Sequence, residues 1–102
     1  MRKKKPDKKT IESVAEEIIG IATGAFISAY MKHRRGESLE AILIDLDIRG
    51  AYHSTDKETM NIMRAASKAG VSALKANLGL DPALKRLQSR LEARYQQVLR
   101  DL

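Results

Sequence analysis

Arg86, Arg90 and Arg94 follow one another at four-residue spacing. On a helix they form one stripe about 12 Å long. A guanidinium is a planar fork of N–H donors that matches the oxygens of a phosphate or carboxylate. A row of such forks suits the backbone of a nucleic acid, where phosphate contacts hold the protein in place without reading bases. Other cations extend the pattern. Lys3, Lys4 and Lys5 lie in the N-terminal stretch MRKKKPDKK, Lys32, Arg34 and Arg35 close the first apolar segment, and Lys68 and Lys75 stand two helical turns apart. For each group the alternative is a solvated charged face, and for the N-terminal stretch a solubilising end.

Other chemistry has little support. There is no cysteine, hence no disulfide framework and no thiolate metal site. His33 and His53 stand alone, with no partner at metal spacing. Asp45 and Asp47 are two residues apart, so a helix points them in different directions and they form no close carboxylate pair. No glycine-rich phosphate loop, Gly-x-Ser-x-Gly elbow, His-Glu-x-x-His motif or EF-hand loop occurs. The expectation is a binding protein with no catalytic residues, no metal and no cofactor. Stacking on single-stranded bases needs exposed aromatic rings. Of Phe26, Tyr30, Tyr52 and Tyr95, the first two fall in the apolar segment.

The formal net charge is +6 and is unevenly spread. Residues 1–35 hold nine Lys/Arg against four acids, residues 36–58 two against six, and residues 59–102 eight against three. Basic ends around an acidic middle suit contact with a polyanion, the acidic part turned away.

The elements that must position these groups are helices. Ile18 to Met31, IIGIATGAFISAYM, is the one long apolar run. Thr10–Arg34 reads as one helix, with Thr10 as N-cap, cations at its end and Gly36 as the stop. Ile11, Val14, Ile18, Ala22, Ala25 and Ala29 share a face, widened by Phe26 and Tyr30. Gly20, Gly24, Ile27 and Met31 make the opposite side unusual, and a helix apolar all round is normally buried all round. The two glycines leave a notch for another backbone. The run spans about 21 Å, short of the roughly 30 Å hydrocarbon core, so a buried soluble helix is favoured over a membrane span.

Glu37–Arg49 follows, with Leu39, Ile42, Leu43 and Leu46 at helical spacing and Ile44 and Ile48 adding bulk. AILIDLDI also fits a strand, but no second strand is available to pair with it. T-D-K-E, Thr55 to Glu58, fits a capping box for a third helix over Asp56–Asn77. Gly70 within that stretch has two readings. In one the helix runs through and the glycine is a close-packing point. In the other, Ala66 to Ser72, ASKAGVS, resembles the first helix and turn of repressor-type helix-turn-helix units over about seven residues, which implies a left-handed turn at Gly70 and a recognition helix capped by Ser72. That pattern wants apolar residues where Ala76 and Gly79 stand. GLDP, Gly79 to Pro82, reads as a break, with Gly79 closing one helix, Asp81 as N-cap and Pro82 opening the last. Leu84, Leu87, Leu91, Tyr95, Val98 and Leu102 share a face of that helix, clear of the arginines.

The expected architecture is all-α: a small bundle of about four helices with a buried apolar first helix. It is expected to be dimeric, because three short helices hardly cover the first. Residues 1–9 are expected as a flexible basic arm and residues 10–102 as one helical domain. Residence is expected to be cytoplasmic, with no membrane contact. The primary functional expectation is a nucleic-acid-binding accessory or regulatory protein that meets DNA or RNA through Lys3, Lys4, Lys5, Lys32, Arg34, Arg35, Lys68, Lys75, Arg86, Arg90 and Arg94. The alternative is a small helical subunit or inhibitor docking on a larger complex through its acidic segment or an exposed apolar face.

Overall fold

The computed structural model describes residues 8–101 and folds them into four helices. These are α1 (Lys8–Arg34), α2 (Leu39–Tyr52), α3 (Lys57–Lys75) and α4 (Leu80–Arg100). No strand occurs among the described residues, and AILIDLDI lies within α2. The bundle is all-α, as the hydrophobic spacing implies. The proposed arm at residues 1–9 lies mostly outside the described residues, though Lys8 and Lys9 already belong to α1.

Three helices end in the same way. Gly36 adopts φ +101°, Ser54 φ 51° and Asn77 φ 60°. At each, paired amide-to-carbonyl bonds close the last turn: Gly36 to His33 and Glu37 to Lys32, Ser54 to Ala51 and Thr55 to Gly50, Asn77 to Leu74 and Leu78 to Ala73. A left-handed residue lets the chain turn back and satisfy carbonyls the helix leaves open.

Several expected caps move by a residue or two. α1 begins at Lys8, so Thr10 lies inside it. Thr55 does not cap α3; its amide is taken by the Gly50 carbonyl, 2.8 Å away. Asp56 caps instead, its carboxylate accepting from the Thr59 amide at 3.3 Å. Ser38 caps α2 by accepting from Ala41. Gly79 does not close α3, since Asn77 does; it stands at the N-cap of α4 with no side-chain cap bond. Pro82 then falls in the first turn of α4, where its missing N–H has no helical partner to lose.

α3 runs unbroken through Gly70, so there is no helix-turn-helix at that position. The reason is a close crossing. A Cβ on residue 70 would meet the Phe26 carbonyl oxygen at 2.5 Å and the Tyr30 nitrogen at 3.2 Å. Around this point Ala22, Phe26, Ala66 and Ala83 form one buried cluster, with Leu84, Leu87 and Leu91 of α4 packed on it. Ala29, Ile42 and Val71 form a second, where α2 joins. The Tyr30 hydroxyl donates to the Leu78 carbonyl at 2.8 Å, tying α1 to the α3–α4 turn.

α4 runs back along α1. Burial there pushes the Tyr95 hydroxyl above its ordinary pKa, and the charges of Glu12, Glu92 and Glu16 add to the effect. The fold is flat, 51 × 32 × 14 Å. Burial of α1 is one-sided: no residue from Lys9 to Ile21 is fully buried, and Gly20 and Gly24 are exposed. A Cβ at either glycine would meet nothing within 4 Å, so the notch stands open. By length and composition Lys9–Arg34 is also able to cross a membrane, as core helices of soluble proteins often are, and 28% of its most apolar window is buried in the bundle.

Candidate nucleic-acid interface

Arg86, Arg90 and Arg94 are all exposed on α4, as their spacing requires. The structure gives them a setting the sequence does not show. Arg86 and Arg90 border an open groove of about 310 Å³ between α3 and α4, floored by Phe26, Ala69, Ala73, Ala83 and Leu87. Ser72 lines the α3 side. Lys68 and Lys75 lie one turn to either side of Ser72 on the same strip of α3, and both are exposed. Two arginines of α4 therefore border the groove, and two exposed lysines of α3 stand next to its Ser72 edge. Arg94 borders the next groove along, between α4 and the first half of α1. None of these five cations is in an ion pair among the described residues.

The other proposed contacts are placed differently. Lys32 is engaged: its ammonium donates to Asp45 at 3.1 Å, with the lysine side chain 21% exposed. Arg49 reaches the same oxygen at 3.1 Å. The Lys32 hydrogen bond, followed by the charges of Lys32 and Arg49, holds the Asp45 carboxyl below its ordinary pKa. Arg34 and Arg35 are exposed beside the turn at Gly36 and do not line the α3–α4 groove. Lys3, Lys4 and Lys5 lie outside the described residues.

Arg64, not singled out by sequence, pairs with Asp47 through both ends of its guanidinium, Nε donating to Oδ1 at 2.9 Å. That bond pulls the Asp47 carboxyl down and pushes the Arg64 guanidinium up. Asp45 and Asp47 of the acidic middle are thus paired with cations of α1, α2 and α3 rather than simply facing away from a polyanion. They do not converge on each other.

A second surface was under-read from the sequence. Ile44, Ile48 and Tyr52 succeed one another at four-residue spacing along α2 and are 59%, 62% and 84% exposed. They form an unpartnered apolar stripe on the outer side of α2, with the Tyr52 ring edge-on to His53. The spacing was visible; the side of the helix it belongs to was not. His33 is occupied by the Glu37 carbonyl at 2.7 Å. Among the described residues no three His, Cys, Asp or Glu side chains are grouped to hold a metal ion.

The arrangement can hold anions at the rim of a shallow apolar groove. No family model, no curated protein and no solved structure matches this chain, so the reading of its function rests on these residues and their geometry.

Proposed function

We propose that this chain is a nucleic-acid-binding accessory or regulatory protein of the cytoplasm, gripping the phosphate backbone of DNA or RNA. The observation that carries the reading is that Arg86 and Arg90 border the α3–α4 groove while Lys68 and Lys75 stand exposed one turn to either side of Ser72, which lines its α3 side, all four free of carboxylate partners among the described residues. Two carboxylates that would repel a polyanion, Asp45 and Asp47, are meanwhile held by Lys32, Arg49 and Arg64. Arg94 and the N-terminal Lys3, Lys4 and Lys5 add to the positive field, and Arg34 and Arg35 supply a second contact. Binding of this kind releases counterions and reads little sequence. The acting unit in this proposal is a homodimer, in which the apolar part of α1 left bare in one copy becomes covered. The chain works in water rather than lipid, and failure to float with vesicles is the expected outcome.

A titration of DNA and RNA binding against salt tests the reading. Affinity is expected to fall steeply as salt rises, and reversing charge at Lys75 and Arg86 to flatten the slope. Binding that is absent at low salt overturns it.

One observation favours a second reading, a protein-interaction subunit: the bare stripe of Ile44, Ile48 and Tyr52 on α2. Exposed apolar rows at helical spacing are how one helix offers itself to a groove on a partner. Under that reading Ile48→Asp abolishes partner capture and leaves nucleic-acid affinity unchanged.

A further inference from the structure

We infer that two copies of this chain join through the groove between the first half of α1 and the last half of α4, with the two α4 helices antiparallel. This rests on the homodimer proposed above and names its seam.

The groove holds about 330 Å³ and is lined by Ile11, Val14 and Ile18 from α1 with Leu91, Tyr95 and Val98 from α4. Val14 and Val98 on its rim are 48% and 42% exposed. Its position explains why it is bare. Leu87 and Arg90 of α4 border the groove beside α3. Leu91 and Arg94, one turn on, border this one. It therefore follows the α3–α4 groove one turn further along α4, and no residue of α3 lines it. Apolar surface of this kind is favourable to remove from water. The N-terminal segment is a poor candidate to cover it, since MRKKKPDKK offers only Met1 and Pro6 as apolar side chains. A second α1–α4 hairpin fits in kind: it presents the same apolar rows, and α3 of each copy would act as an end stop for the other.

The charges select the second copy and its direction. At 100° per residue, Arg90, Arg94, Gln97 and Asp101 fall within about 60° on the outer edge of α4 beside the groove. Turned end for end about a point near Tyr95, this edge complements itself. Arg90 comes opposite Asp101 of the second copy, and Arg94 opposite Gln97. A parallel pairing would set arginine against arginine. A two-fold axis makes each such contact occur twice, so a small local complementarity counts double.

Light scattering on the eluting protein over a range of concentrations, without nucleic acid, tests this. The expected mass for the wild-type chain is twice 11.4 kDa. Val98→Asp is expected to give a monomer that keeps its helical circular dichroism, because the residue lies on the rim and not in the core. Arg90→Asp or Asp101→Arg alone is expected to weaken the dimer roughly tenfold, and the double variant to restore it. A wild-type chain that remains monomeric at every concentration, a dimer that Val98→Asp leaves intact, or a double variant no tighter than the singles overturns the inference. The mass is read without nucleic acid, so its outcome is separate from the salt titration of the wild-type chain that tests the phosphate-binding reading.

Discussion

The Phe26 carbonyl oxygen occupies the place a Cβ on residue 70 would need, 2.5 Å from where that atom would sit. The obstacle is backbone at the α1–α3 crossing, so no rotamer change relieves it. Gly70→Ala should therefore destabilise the fold although alanine is the better helix former. Forcing a methyl into a packed contact costs about 1–3 kcal/mol, against a gain of up to about 1 kcal/mol in helix propensity. A urea titration showing Gly70→Ala more stable than wild type would mean that α3 does not cross α1 here.

Gly20 and Gly24 call for the opposite outcome. Neither position has an atom within 4 Å of a built Cβ. Each substitution to alanine should stabilise α1 by about 0.5–1 kcal/mol and leave the native mass unchanged. Loss of the dimer in Gly24→Ala, with the monomer still folded, would move the seam from the α1–α4 groove to this notch.

Ser54 carries a side chain in a left-handed conformation, φ 51°, at the end of α2. An L-residue there is strained by about 1–2 kcal/mol, and glycine is not. Ser54→Gly should raise stability by about 0.5–1 kcal/mol once the extra freedom of glycine in the unfolded chain is set against that strain. The same backbone makes Gly36, at φ +101°, intolerant of alanine. Thermal melts of the two variants should shift in opposite directions.

Much of this fold was legible from period and punctuation. Apolar residues at three- and four-residue spacing mark all four helices, and the arginine row on α4 is exposed as its spacing demands. What was not legible depends on partners distant in the chain. A glycine inside a helix and a glycine in a turn look alike locally; at Gly70 the Phe26 carbonyl decides. Thr55 and Asp56 are both able to cap a helix, and the Gly50 carbonyl takes the Thr55 amide. Ile44 and Ile48 count as bulk until α2 is seen to pack on one side only, which leaves them outside. At the candidate interface, the sequence located the arginines and lysines but had no means of showing that Arg86 and Arg90 border a groove with Ser72 on its α3 side, or that Asp45 engages Lys32.

The aspartates give the fold a pH dependence of defined sign. Hydrogen bonds from Lys32 to Asp45, from Arg64 to Asp47 and from Thr59 to Asp56 hold these carboxyls below their ordinary pKa. A carboxyl with a lowered folded-state value contributes stability above its unfolded value, about 3.9. That contribution is lost as pH falls through the folded value. The melting temperature should therefore hold steady from neutral pH down to about 5 and fall below about 4. Asp45→Asn and Asp47→Asn should each melt lower at neutral pH and show a shallower decline in acid. The side chains are 41% and 43% exposed, so added salt should shrink the differences. A decline as steep in the double Asn variant as in wild type would place the acid sensitivity elsewhere.

Lys32 and the groove cations separate two roles that one basic residue type can play. Lys32 already donates to Asp45 and has little exposed surface. Removing it takes away an internal ion pair and leaves the phosphate-binding rows intact. Lys68, Lys75 and Arg86 have no carboxylate to release first among the described residues. Each phosphate contact removed from a duplex-binding protein lowers the salt slope by about 0.9. Alanine at Lys68, Lys75 or Arg86 should therefore each lower the slope by about one and leave the melting temperature nearly unchanged. Lys32→Ala should do the reverse, melting earlier and keeping the wild-type slope. A Lys32 variant that loses slope while folding normally would mean the ion pair opens to let Lys32 meet phosphate. Groove variants that all keep the wild-type slope would leave the α3–α4 groove without a nucleic-acid role.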